Sequence, residues 1–180
     1  TEKLRGGTRL FFVAGGRVRR RLGEHEDRSA RLRALLGAPD SGLVEAVETK
    51  LGQLAESQKA LRDAEEALAD ARAEALAALP GSIVEAHFEG RDPAFLARVG
   101  RRFSSLPATA VAFLTATKDG AGTFLLAAGG SSPAEVRALG AAVAEALGGR
   151  GGGSGKLFQG KGSLARRGEA LALLGERLRG

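Results

Sequence analysis

Gly148-Gly-Arg-Gly-Gly-Gly-Ser-Gly-Lys-Leu-Phe-Gln-Gly-Lys-Gly-Ser163 is the stretch that decides how the last part of this chain folds. Eight of its sixteen residues are glycine, with Arg150, Lys156, Phe158 and Lys161 among them. Glycine tolerates a positive φ and lets a ligand approach bare backbone, at an entropic cost that an ordinary loop need not bear. A flexible linker shares that composition, but helical patterns flank this segment on both sides. The expectation is therefore a phosphate or nucleic-acid contact loop. Its contact residues are Arg150, Gly151, Gly152, Gly153, Lys156, Phe158, Gln159, Gly160, Lys161, Gly162, Ser163 and Arg166, with Phe158 as a stacking face. Ser163 reads as the N-cap of the next helix, so that free N–H groups of its first turn point back at the loop.

Two familiar phosphate motifs fail on this segment. A P-loop needs G-x-x-x-x-G-K-[ST], and here position 150 is arginine and position 157 leucine. Gly160-Lys-Gly162-Ser-Leu-Ala165 matches G-x-G-x-x-G/A, but a dinucleotide fold needs a further strand and an acidic residue about 20 positions on. No nucleotide or other cofactor is expected.

The order Gly151-Gly-Gly153, a short insert, Gln159-Gly160 and Gly162 resembles the glycine-rich signature of the DHH-associated domain. That domain closes alanyl-tRNA synthetases, larger free-standing alanyl-tRNA editing proteins and DHH-family phosphoesterases. Its usual form is roughly G-G-G-R-P-D-x-A-Q-G-G-G, from which Ser154, Gly155, Lys156, Phe158 and Lys161 depart. Lys3-Leu-Arg-Gly-Gly-Thr-Arg-Leu-Phe-Phe-Val-Ala-Gly-Gly16 resembles the last strand and exit of the alanyl-tRNA editing domain. The resemblance implies residues 1–16 as a remnant of that domain, 17–79 as a helical hairpin and 80–180 as the DHH-associated α/β domain. It also implies a module that grips the outer corner of an alanine-accepting or mischarged tRNA, with helices that help to dimerise.

Residues 1–40 carry ten Lys/Arg against five Asp/Glu, residues 41–80 four against eight, and residues 81–180 thirteen against eight. Two basic regions thus flank an acidic helix, and the net charge of +6 favours a polyanionic partner. The 43% hydrophobic content is enough for a core in a chain of 180 residues. Cysteine is absent, which excludes disulfides and thiolate metal sites. Methionine is absent too, so Thr1 is not expected to be a natural start and the chain reads as a piece of a longer protein. No apolar run approaches the roughly 20 residues that span a bilayer. No membrane association is expected, and the cytosol is the expected location.

Val18, Leu22, His25, Ser29, Leu32 and Leu36 recur in steps of four and three, one stripe on a helix of about 20 residues. Gly37-Ala-Pro-Asp-Ser41 breaks it, with Ser41 or Asp40 as the cap of a second helix. No breaker follows until Pro80-Gly81, so that helix runs for about 38 residues, or about 57 Å. Leu54, Ser57, Leu61, Ala64, Leu68, Ala71, Ala75 and Ala78 alternate large and small at heptad spacing, a seam for packing or dimerisation. A short turn makes an antiparallel hairpin the default. The longer helix then keeps about half its seam for a second copy or for its own globular domain.

Beyond Pro80 strands and helices alternate. Strands are expected at Ser82–Glu89, Thr109–Thr117, Gly122–Ala128 and Lys156–Gln159, and helices at Pro93–Ser105, Pro133–Gly148 and Leu164–Leu178. Asp92-Pro93 and Ser132-Pro133 set an N-cap before proline, and Lys118-Asp-Gly-Ala121 reads as a hairpin turn. The fold class is α/β of the α+β kind, a long antiparallel helical hairpin followed by a mixed-sheet domain ordered β-α-β-β-α-β-α. Thr109–Thr117, the most apolar strand, is expected at its centre.

No catalytic set emerges. His25 lies on an apolar stripe and reads as a packing residue, and His87 falls on the polar alternation of its strand. The His-x-x-x-His and Cys-x-x-x-His elements of the family's zinc site do not occur, so neither chemistry nor metal is expected in this stretch. The function expected is tRNA binding within an alanyl-tRNA synthetase or editing protein, with a homodimer as the assembly. The alternatives are a DHH-phosphoesterase domain that holds short oligonucleotides and a purely structural dimerisation module.

Overall fold

The computed structural model describes residues 2–4, 7–9 and 14–179. The chain divides into two compact units, Thr1–Lys59 and Ala60–Gly180.

In the first unit, β1 (Glu2–Leu4) and β2 (Gly7–Arg9) pair antiparallel with Glu2 opposite Arg9. They fall in the segment expected as an editing-domain strand, the remainder of which at 5, 6 and 10–13 lies outside the described residues. Helix α1 (Gly16–Leu36) ends at Gly37, whose φ of 65° lets its N–H reach the Arg33 carbonyl. A 3-10 turn, Asp40–Gly42, precedes α2 (Leu43–Ala77), which runs on into the second unit. Neither Asp40 nor Ser41 caps a helix with its side chain. Asp40 instead accepts a hydrogen bond of 2.5 Å from Arg33, which also reaches Glu26 at 2.7 Å.

Both helices form at the expected length, but no residue of α1 is buried, His25 included. Seven of its 21 residues are arginine, and its apolar stripe is too narrow to bury itself. His25 is therefore a surface residue and not a packing one.

The second unit has three layers. Its sheet contains β3 (Ile83–Glu89), β4 (Val111–Lys118), β5 (Ala121–Ala128), β6 (Arg150–Ser154) and β7 (Leu157–Lys161), in the order β3-β4-β5-β7-β6. Strand β3 runs parallel to β4 and every other pair is antiparallel. The β4–β5 turn is Asp119-Gly120, both at positive φ, which is what a two-residue hairpin turn demands. Helix α3 (Pro93–Ser105) starts as its sequence dictates, with Asp92 accepting a 2.9 Å hydrogen bond from the Phe95 N–H. Helix α4 (Val136–Ala146) starts later than Ser132-Pro133 suggested, with Glu135 at its cap. A 3-10 turn, Leu164–Arg166, leads into α5 (Arg167–Arg177).

Period-two alternation sorts the strand residues between two cores. Ala112, Leu114, Ala116, Leu125 and Ala127 join Phe95, Leu96, Val99 and Phe103 of α3 on one face. Val111, Phe113, Phe124 and Leu126 join Leu139 and Val143 of α4 and Ala170 and Leu174 of α5 on the other. The central strand is β5 and not β4. The reason is a strand that the sequence pattern hid: β6, five residues containing three glycines, carries no apolar alternation.

The second half of α2 packs on the α3 face through Ala69, Ala73 and Leu76. This stripe is rotated from the heptad seam and shares only partly buried Leu68 with it, while Leu54, Leu61, Ala64 and Ala71 remain exposed. Alanine in the contact lets helices approach closely. Along its border Glu65 meets Arg98 at 2.6 Å and Glu74 meets Arg102 at 2.7 Å. Half-exposed pairs of this kind each contribute about 1 kcal/mol or less, so apolar burial dominates the docking. Leu76→Ala should therefore destabilise the chain by about 2–5 kcal/mol in urea unfolding. Lys59→Ala, exposed and off the apolar stripes of α2, should stay within about 0.5 kcal/mol of wild type.

Candidate nucleic-acid interface

The glycine-rich stretch is a β-hairpin. Strands β6 and β7 pair Arg150 with Lys161, Gly151 with Gly160, Gly152 with Gln159 and Gly153 with Phe158. Gly155, at φ 59°, makes the turn. Strand β7 is zipped to the central β5, whereas β6 is the sheet edge.

Packing explains most of the glycines. Phe158 is buried and stacks on Phe124, ring centroids 6.2 Å apart and 23° between planes. A Cβ at Gly140 of α4 would lie 2.1 Å from the Phe158 ring, and one at Gly151 would lie 2.5 Å from it. At Gly160 a Cβ would press on Phe124 at 2.6 Å and on the Arg150 carbonyl at 2.5 Å. Gly153 and Gly162 are just as closed, and Gly152 alone of the three consecutive glycines has open space. Phe158 is thus a core residue and not a stacking face.

Other expected contact residues are also committed inside the protein. Lys156 donates through Nζ to the Gly129 carbonyl at 3.1 Å and to the Gly130 carbonyl, which ties the hairpin to the loop after β5. Arg166 donates to Glu169 at 2.9 and 2.7 Å, and these hydrogen bonds hold the Glu169 carboxyl below the usual carboxylate range. Ser163 caps nothing with its side chain, since its 3-10 turn opens without such a bond and α5 begins at Arg167. Its N–H is spent on the Leu147 carbonyl at 2.8 Å. Helix α5 therefore starts three residues later than a Ser163 cap would set it.

Five of the expected residues converge, three of them with polar side chains. Arg150, Gln159 and Lys161 border a groove of about 360 Å³ beside the start of α3. Its apolar wall is Pro93, Leu96 and Leu125, and Gly151 and Gly160 contribute to its lining. No carboxylate lines it. Among the described residues the side chains of Arg150 and Lys161 have no hydrogen-bond or ion-pair partner, whereas those of Arg98, Arg102, Arg166 and Arg167 all do. Two guanidinium- and ammonium-bearing residues and one amide, opposite one another on a paired edge, can take phosphate oxygens and a neighbouring polar group. His87 lies outside the groove, exposed on β3, with Nδ1 3.0 Å from Thr115 Oγ1. Among the described residues no three His, Asp or Glu side chains gather as metal ligands. No described helix is long and apolar enough to cross a membrane.

Over 97% of its length the chain is 37% identical to the alanyl-tRNA editing protein Aarsd1 of Mus musculus. It is similar to an alanyl-tRNA editing protein. Aarsd1 of Rattus norvegicus matches over the same share at 36% identity, and the chain spans 42% of the length of each relative. Among solved structures, the C-Ala domain of Aquifex aeolicus alanyl-tRNA synthetase matches with a TM-score of 0.50 at 26% identity, covering 54% of this chain and 91% of that domain. No family model matches. These relatives bear out the resemblance drawn from the glycine-rich signature and the N-terminal segment.

The structural and contact roles separate by mutation. Phe158→Ala should cost about 3–5 kcal/mol in thermal or urea unfolding, because it empties a site that the glycines were shaped around. The double substitution Arg150→Ala with Lys161→Ala, at exposed positions, should leave stability within about 0.5 kcal/mol per site.

Proposed function

We propose that this chain is a tRNA-binding module of an alanyl-tRNA editing protein or an alanyl-tRNA synthetase, and that the groove bordered by Arg150, Gln159 and Lys161 holds the RNA backbone. The observation that carries the reading is the pair of unpartnered cations at the base of a glycine edge strand, in a groove without a carboxylate. The editing protein and synthetase domain that the chain resembles support tRNA as the partner. Gly152, open on the edge strand, lets a phosphate approach the backbone more closely than any side-chain-bearing residue would allow. The apolar wall of the groove accepts a ribose or the face of a base at a chain end.

This module contributes binding, and the hydrolytic or ligase chemistry of the longer protein resides elsewhere, in the cytosol where tRNA is used. Val44, Val47, Leu51, Leu54 and Leu61 remain exposed along α2, a stripe that supports a homodimer. A module that serves dimerisation alone has no use for the cationic groove.

Binding of an alanine tRNA should weaken steeply between about 50 and 200 mM salt, because phosphate contacts release counterions. Arg150→Ala with Lys161→Ala should lower affinity about 10-fold or more and reduce the salt slope by about 2. Arg166→Ala should change affinity less, since Glu169 already occupies its guanidinium. Filter-binding or anisotropy titrations check all three. An affinity that does not respond to salt overturns the reading.

A further inference from the structure

Helix α1 carries a feature that the groove does not use. Arg17, Arg20, Arg21, Arg28 and Arg31 fall within about 100° of one another around the helix at 3.6 residues per turn. They form a stripe about 21 Å long at 1.5 Å rise per residue. All five are exposed, and Glu24 is the one acid among them. Arg17, Arg20, Arg21, Glu24 and Arg28 border a common surface depression of about 480 Å³. Among the described residues Arg17, Arg20, Arg21 and Arg31 form no ion pair, and Arg28 donates only to the Glu24 backbone carbonyl at 3.1 Å. Arg33, off this stripe, is the arginine of α1 that Glu26 and Asp40 neutralise. Of the acids of α1, Glu26 is spent on Arg33, and Glu24 alone lies among the stripe arginines.

Five arginines at steps of three, one, seven and three residues repel one another, and exposed helix positions without partners make the repulsion a standing cost. A polyanion offsets that cost. Guanidinium suits phosphate better than a point cation does, because its planar fork takes two oxygens at once. Apart from His25, which also borders the depression, α1 carries no aromatic ring to stack on bases, and it has no asparagine or glutamine to read their edges. The chemistry is that of backbone contact without sequence readout.

We infer that the arginine stripe of α1 is a second RNA contact, which takes the phosphates of a duplex arm independently of base sequence. The inference rests on the reading of the chain as an RNA-binding module, but it lies in the first compact unit and makes no use of the groove residues.

The test uses the full chain with two probes, an alanine tRNA and an RNA hairpin of unrelated sequence. Arg17→Ala, Arg20→Ala and Arg21→Ala should each lower the salt slope by about 0.7–0.9 for both probes, as expected for one lost phosphate contact. The triple variant should bind each RNA about 10-fold or more weakly at about 100 mM salt. Arg19→Ala, about 200° around the helix from Arg17, should leave the slope unchanged. Helicity by circular dichroism should match wild type in every variant.

A wild-type slope in the triple variant overturns the stripe. If the Arg150/Lys161 double variant is weakened in that same experiment, the groove reading survives without it. A loss with Arg19→Ala equal to that of the stripe variants also overturns it, because the effect is then general charge and not a face. Polyglutamate that competes as well as RNA at matched charge overturns the assignment to RNA. If wild type binds neither RNA at low salt, both the stripe and the groove reading fall.

Discussion

The presentation of the groove depends on the packing of Phe158 against glycine. Its ring lies between Gly140 on α4 and Gly151 on β6, and against Phe124 on the neighbouring strand. A methyl group at either glycine would overlap the ring, so the edge hairpin reaches the sheet only where side chains are missing. Because β6 is held this closely, the opposite face of the hairpin presents Arg150 and Lys161 side by side as a register pair. The entropic cost of ordering a run of glycines is met by the burial of one large aromatic residue. The hairpin is consequently as much a part of the core as a surface element.

Net charge alone says little about where an anion binds here. Many of the basic residues after Pro80 are consumed internally: Arg98 and Arg102 by α2 carboxylates, Arg166 by Glu169 and Arg167 by Glu85. Lys156 is spent on backbone carbonyls. Among the basic residues left over, Arg150 and Lys161 share the groove of one unit, and five arginines form a stripe on α1 in the other. The same residue type thus does two kinds of work. Paired arginines border the helix contacts, and unpaired ones give the chain its electrostatic reach.

Helix α2 shows how a periodic pattern can be correct and yet misassigned. Its length, continuity and small residues were legible, and so was the surplus of helix that had to pack somewhere. The face was not. Heptad spacing favoured Leu54, Leu61, Ala64 and Ala71, whereas the globular domain took Ala69, Ala73 and Leu76. In an alanine-rich helix several faces are nearly equal in apolarity, so the shape of the surface opposite decides between them. Helix α3 is the contrasting case. Phe95, Leu96, Val99 and Phe103 allow a single burying face, and Asp92-Pro93 allows a single start.

The sequence by itself determined the α+β class, the order and approximate bounds of the long helices, the Asp119-Gly120 turn, the α3 cap and the resemblance to alanyl-tRNA editing proteins. Those features follow from local rules: periodicity, turn chemistry, capping and motif spacing. Only the tertiary structure decided that the glycine stretch is two strands, that Phe158 points into the core and that Lys156, Ser163 and Arg166 are already engaged. It also decided that Arg150, Gln159 and Lys161 converge beside α3. Glycine has no side chain and therefore no periodicity to reveal a strand. Whether a basic or aromatic residue is free to meet a ligand depends on partners dozens of residues away, and local spacing cannot carry that information.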